Sequence, residues 1–227
     1  VELLYQVVRP GHYIPAFLPL SHTELLQTPL KPRRPNPEFE DPANWFVLPM
    51  YDNGTFGDEI AGDGIYSTFV PRQANRSLVR YRIRATDTKG AVVQVPYPDD
   101  PSLNFAYFVY NGVPDYRVRT SITGSPHVYP SEIMTSLAVY ILIAREQDII
   151  ECVAADPALQ IPQFTQARFI ENWEGAIVYN GVVYDHITFR LRGANGRYQI
   201  PPGNPSNVAG KRHWRFKFNR GHHLQAH

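Results

Sequence analysis

Between Tyr51 and Tyr66 the chain reads Tyr-Asp-Asn-Gly-Thr-Phe-Gly-Asp-Glu-Ile-Ala-Gly-Asp-Gly-Ile-Tyr, so that Asp52, Asp58 and Asp63 alternate with glycines. Carboxylates on backbone that tolerates unusual φ angles can wrap a hard cation, and calcium takes about six to eight oxygen ligands. The spacing is not that of an EF-hand. Composition therefore nominates Asp52, Asp58 and Asp63 as metal ligands, with calcium as the cation they suit. The competing use of the same residues is structural, because Asp and Asn also close turns through side-chain to backbone hydrogen bonds.

A second set is cationic. Alternate residues share one face of a strand, so Arg190 and Arg192 project together opposite Phe189 and Leu191, while Arg215 and Lys217 oppose Trp214, Phe216 and Phe218. If these strands are neighbours, four cations occupy one sheet surface. Such a group repels itself unless an anion sits among it, and the planar fork of arginine suits phosphate oxygens. The segment between them, rich in Gly, Pro and Asn and ending at Lys211, is not a Walker motif but could fold over a nucleotide. The competing reading is a solvated strand face beside a loop.

Other chemistry is poorly supported. The histidines are dispersed apart from His222-His223, with no HExxH and no recognisable nucleophile setting, which argues against a hydrolase or zinc enzyme. Cys152, the only cysteine, excludes an intrachain disulfide and reads as a buried apolar residue of a helix.

The elements that must position these groups are mostly strands. Among 227 residues, 21 prolines, 15 glycines, 14 tyrosines and 12 phenylalanines favour strands and turns over long helices. Apolar runs at 1–8, 45–51, 64–70, 78–86, 91–95 and 104–110 predict an Ig-like β-sandwich over residues 1–112. In its clearest strand Val79, Tyr81, Ile83 and Ala85 face a core, and Arg80, Arg82 and Arg84 face water. The proline-rich segment 28–44 reads as a long surface loop within the sandwich.

A turn at Asn111-Gly112-Val113-Pro114 marks a domain boundary. Beyond it come a strand at 137–143, a helix at 145–155 with Ile149, Ile150 and Val153 on one face, and a hairpin turning on Asn180-Gly181. Strands at 187–192 and 212–218 complete a mainly β protein with a small α component.

Formal charge is +1, so no global field draws the chain to nucleic acid or an anionic membrane. No run approaches the roughly 18 apolar residues of a membrane span. The start at Val1, with neither initiator Met nor signal peptide, suggests a mature or excised fragment.

Two resemblances sharpen this picture. The stretch from Asp52 through Asp63-Gly64-Ile65-Tyr66 to Val79-Arg80-Tyr81 and Ala85-Thr86-Asp87-Thr88-Lys89-Gly90 resembles Ig-like or fibronectin-III-like modules of bacterial surface proteins. Four later segments, 140–148, 175–187, 189–193 and 211–222, together resemble the opening portion of CotH kinase-family domains. That likeness implies an atypical, extracellular kinase-like domain using ATP with Mg²⁺ or Mn²⁺. Residues 113–227 would be an incomplete, α+β amino-terminal lobe, with Lys211, Arg215 or Lys217 as candidates for phosphate contact.

Phosphoryl transfer also needs metal-holding carboxylates, which kinase-like folds keep in a later lobe. No catalytic residue is therefore assigned to this chain, which alone is expected to be inactive. The resemblances imply a secreted or cell-surface protein of bacterial type with a protein partner or substrate there. The alternative is a structural or adhesive surface protein, such as a filament subunit that self-assembles.

Overall fold

A computed structural model describes residues 1–27, 29–118, 125–153, 170–192 and 213–225. The chain is mainly β, with several sheets. Strand β1 (Glu2–Val8) runs antiparallel to β4 (Phe46–Pro49) on one side and to β5 (Ser77–Thr86) on the other. The second half of β5 pairs with β6 (Val92–Val95) and its first half with β7 (Phe105–Val109), completing a five-stranded sheet. A four-stranded sheet follows in the order β10 (Ile141–Ala144), β11 (Trp173–Tyr179), β12 (Val182–Leu191), β13 (Trp214–Lys217). Two small ribbons, β2 (Phe17–Leu18) with β3 (Arg34–Pro35) and β8 (Tyr116–Val118) with β9 (His127–Tyr129), lie outside these sheets.

The hairpin expected at Asn180-Gly181 forms, with φ of 48° and 78° at the two turn residues, the positive values that a two-residue type I′ turn demands. Other elements differ from expectation. Strand β10 starts only at Ile141, and Leu137 is 78% exposed. The run 64–70 forms no strand, only an isolated bridge between Ser67 and Tyr51. The helix Glu146–Val153 turns Ile149 toward the core but leaves Ile150 at the surface. Its Cys152 is buried, and burial pushes the thiol up to about 12.

The proline-rich segment is more ordered than a surface loop. Asn36 caps the short helix Pro37–Glu40, and Asp41 caps a 3₁₀ turn at Pro42–Asn44. In each case proline occupies the first turn, where its missing N–H costs no helical hydrogen bond. The same segment delivers Phe39, 2% exposed, into a small core with Trp45 and Ala16.

The arginines of β5 overturn the expected orientation. Arg80 is fully buried and Arg82 nearly so, while Ala85 is exposed. Both faces of this strand are covered over its first half. Tyr13, Phe39 and Trp45 pack against the arginine side, with Arg82 over the Trp45 ring at 4.3 Å and bonded to Glu40 at 2.8 and 2.9 Å. Arg84 remains partly exposed, paired with Glu2 at 2.8 Å.

The boundary expected at 111–114 falls between β7 and β8. Across it, Val8, Tyr13 and Leu78 share a buried apolar cluster with Ile143, Ala176, Val178 and Val183. The opposite side of the second sheet carries Trp173, Ile177, Tyr184, Phe189 and Leu191, packed against Trp214 and Phe216. Among the described residues no helix is long and apolar enough to cross a membrane.

Candidate functional site

Three groupings of polar side chains stand out. The first depends on a bulge in β12. Ile177 pairs with Tyr184 and Gly175 with Ile187, so Asp185 and His186 together face the single residue Ala176. His186 takes the positive φ of 56° that lets the extra residue fit. Adjacent residues of a regular strand point to opposite faces, whereas here both side chains enter the interior between the sheets.

There Asp185 accepts hydrogen bonds from Arg80 Nε at 2.7 Å and Nη2 at 3.1 Å, from the Tyr13 hydroxyl at 2.7 Å and from Asn104 Nδ2 at 3.0 Å. Arg80 Nη1 donates to Gln6 Oε1 and to the Ile14 carbonyl, both at 2.7 Å. The His186 ring nitrogens lie 2.8 Å from Glu174 Oε1 and 2.8 Å from Asn104 Oδ1. Glu174 also accepts from Ala16 N at 2.7 Å and Arg33 Nη1 at 3.2 Å.

Burial by itself raises the Asp185 pKa, but the charges of Arg80 and His186 and its hydrogen bonds outweigh burial and hold it well below the usual carboxylate range. Glu174 is lowered for the same reasons, burial being outweighed by His186, Ala16 and Arg33. For Arg80 burial acts downward and is overcome by Asp185, so the guanidinium stays charged. Burial first, and then the negative charge of Asp185, raise the Tyr13 hydroxyl well above its ordinary value. These groups are locked by one another. The network acts as a joint between β1, β5, β11 and β12.

The second grouping is the acidic loop. Asp52, Asp58 and Asp63 come together as the notation of the loop suggests, each offering a carboxylate oxygen within 4.8 Å of the others. Asp52 accepts from the backbone N–H of Gly62 at 2.6 Å, Asp63 at 3.1 Å and Gly64 at 3.0 Å, and Asp58 accepts from Gly54 N at 2.6 Å. The loop thus folds by the turn-closing bonds of the structural reading while gathering the oxygens of the metal reading.

The third grouping is the cationic face. Arg190 stands directly opposite Arg215, Lys217 opposite Thr188, and Arg192 N donates to the His213 carbonyl at 2.7 Å. Directly opposed residues share a face, so Arg190, Arg192, Arg215 and Lys217 lie on one side, with Phe189, Leu191, Trp214 and Phe216 on the other. Lys211 lies outside the described residues.

The sequence did not reveal the counter-ion. Glu171 Oε1 lies 2.9 Å from Arg215 Nε and 3.4 Å from Arg190 Nε, so one carboxylate bridges the two central arginines. Arg192 and Lys217 are exposed, and among the described residues neither forms an ion pair.

Set against family models, curated proteins and solved structures, the chain finds no match in any of the three. The joint formed by Asp185, His186 and Glu174 was not foreseen from the sequence. Their one signal was polarity inside otherwise apolar strands, as in Trp173-Glu174-Gly175-Ala176-Ile177 and Tyr184-Asp185-His186-Ile187.

Proposed function

We propose that this chain is part of a bacterial-type cell-surface protein in which an Ig-like module, residues 1–112, presents a CotH-like lobe that takes the phosphates of ATP with Mg²⁺ or Mn²⁺. The observation that carries this reading is the shared face of Arg190, Arg192, Arg215 and Lys217, with Glu171 bridging the inner pair and Arg192 and Lys217 left for a polyanion. Exposed cations act as electrostatic attractors, and arginine adds bidentate geometry toward phosphate.

Isothermal titration with ATP and Mg²⁺ or Mn²⁺ tests it. The expected result is saturable binding weakened by about tenfold or more, equivalent to about 1.4 kcal/mol, in the double variant Arg192→Glu/Lys217→Glu. Both side chains are exposed, so the fold is expected to survive the change. Binding that is absent, or indifferent to these substitutions, overturns the reading. No phosphate transfer to casein is expected from this chain alone.

A structural or adhesive role is the second reading, favoured by the outer strands of the five-stranded sheet. There Phe46 and Val47 on β4, and Val92 and Val93 on β6, are 54%, 48%, 58% and 52% exposed. Open edges of this kind invite strands from a neighbouring copy. In this reading Asp52, Asp58 and Asp63 hold calcium as a staple for the loop. Millimolar calcium is then expected to raise the melting temperature by about 5 °C. Asp58→Asn removes that increment, and light scattering at micromolar concentration reports oligomers. A calcium-indifferent melt and a persistent monomer count against it.

A further inference from the structure

A cavity of about 530 Å³ lies beside the carboxy-terminal end of β1, where β4 has already parted from it. Strand β4 pairs with β1 only from Glu2 to Tyr5, whereas β5 accompanies β1 as far as Val8, so the β1 edge beyond Tyr5 is left open on the β4 side. Tyr5 and Val7 contribute to the floor, and the turn residue Asn44, the Phe46 side of β4 and the loop residue Gln73 contribute the walls. The volume falls in the range of small-molecule sites, about 300 to 1,000 Å³.

The lining chemistry is selective. Phe46 stacks on Tyr5, ring centroids 5.1 Å apart at 27°, and being 54% exposed it keeps its other face available. An aromatic face is electron-rich and receives the C–H face of a saturated ring. Two lining amides each commit one N–H to the protein: Asn44 Nδ2 donates to the Glu38 carbonyl at 2.9 Å, and Gln73 Nε2 to the Pro71 carbonyl at 2.7 Å. Each amide keeps its oxygen and one further N–H, so the pair can both accept from and donate to hydroxyl groups. Ser77, 1% exposed, brings a hydroxyl to the lining. Arg9 is exposed, forms no ion pair among the described residues, and is the one charged residue of a lining that holds no carboxylate.

We propose that this cavity binds an acidic sugar of monosaccharide or disaccharide size: its ring lies on Phe46, its hydroxyls donate to Asn44, Gln73 and Ser77, and its carboxylate pairs with Arg9. Each feature excludes a simpler ligand. A phosphate ion has no C–H face for the aromatic pair. A neutral hydrocarbon makes no use of the hydroxyl and amide groups of the lining. A neutral sugar leaves Arg9 without an anion. The assignment is independent of nucleotide binding at the opposite sheet, and ATP is not expected to displace the sugar.

Saturation-transfer NMR with the whole chain tests this, using glucuronic acid, glucose and a short glutamate-containing peptide as probes. Glucuronic acid is expected to receive saturation at its ring C–H protons with a dissociation constant of about 1 mM, and glucose to bind about tenfold more weakly. Phe46→Ala should abolish the transfer, and Arg9→Gln should bring glucuronic acid down to the level of glucose. Both side chains are exposed, and an unchanged circular-dichroism melt verifies that each variant is folded. Glucose binding as well as glucuronic acid, the peptide displacing both, or no transfer to any probe at about 50 mM, some fifty times that dissociation constant, overturns the proposal.

Discussion

Asp185→Ala is expected to destabilise the protein by about 3 to 5 kcal/mol, the usual consequence of stranding one partner of a buried ion pair. Arg80, which has no exposed surface, would lose both of its bonds to the carboxylate and keep a charge with only Gln6 and the Ile14 carbonyl to accept from it. Tyr13 and Asn104 would each lose an acceptor at the same time. Urea unfolding followed by circular dichroism measures the loss, and a melting temperature lower by about 10 °C should accompany it. Replacing both partners with apolar residues, Arg80→Met with Asp185→Leu, should recover most of the stability, since desolvated charges gain little over well-packed hydrocarbon. If the single substitution costs under about 1 kcal/mol, the joint does not hold the sheets together.

The same network sets the acid limit of the fold. Asp185 and Glu174 both have folded pKa values depressed below those of the unfolded chain, so their stabilisation is complete above the unfolded carboxylate range of about 4. It is lost as pH falls from there through the depressed folded values. Stability of the wild type should therefore decline below about pH 4, and Asp185→Ala should flatten that slope.

Gly175→Ala is expected to cost about 2 to 3 kcal/mol, an overpacking penalty that outweighs the usual benefit of removing glycine from a strand. A Cβ at this position would stand 2.6 Å from the Ile143 carbonyl oxygen and 3.2 Å from Phe189 Cε1. The first neighbour is backbone, locked in the β10–β11 ladder where Ile143 and Ala144 pair with Ala176 and Gly175. Relief requires β10 to move away from β11, so amide hydrogen exchange at residues 141–144 should accelerate more than elsewhere. A variant as stable as the wild type would show that the two strands are not held at this distance.

These two sites differ in how far the sequence announced them. Gly175 sits in a run, Trp173-Glu174-Gly175-Ala176-Ile177-Val178-Tyr179, whose strand character was plain, yet nothing local says that another backbone lies against its α-carbon. The cationic face was legible almost entirely, because period-two alternation places Arg190 with Arg192 and Arg215 with Lys217 whatever surrounds them. Glu171 was not, since its role depends on β12 and β13 lying side by side. The three aspartates converged because a short loop leaves them little room to separate.

The sequence by itself determined which residues share a strand face, where the Asn180-Gly181 turn reverses the chain, and that the protein is built mainly from β-strands. These depend on local backbone geometry, which each residue carries with it. Tertiary structure decided which faces are covered. Arg80 alternates with apolar residues and reads as a surface side chain, but its charge is accommodated inside because Asp185, 105 residues away, arrives on a bulge with its carboxylate turned inward. Whether a buried charge is tolerable depends on a partner that no local pattern specifies, and only the packing of one sheet against the other supplies it.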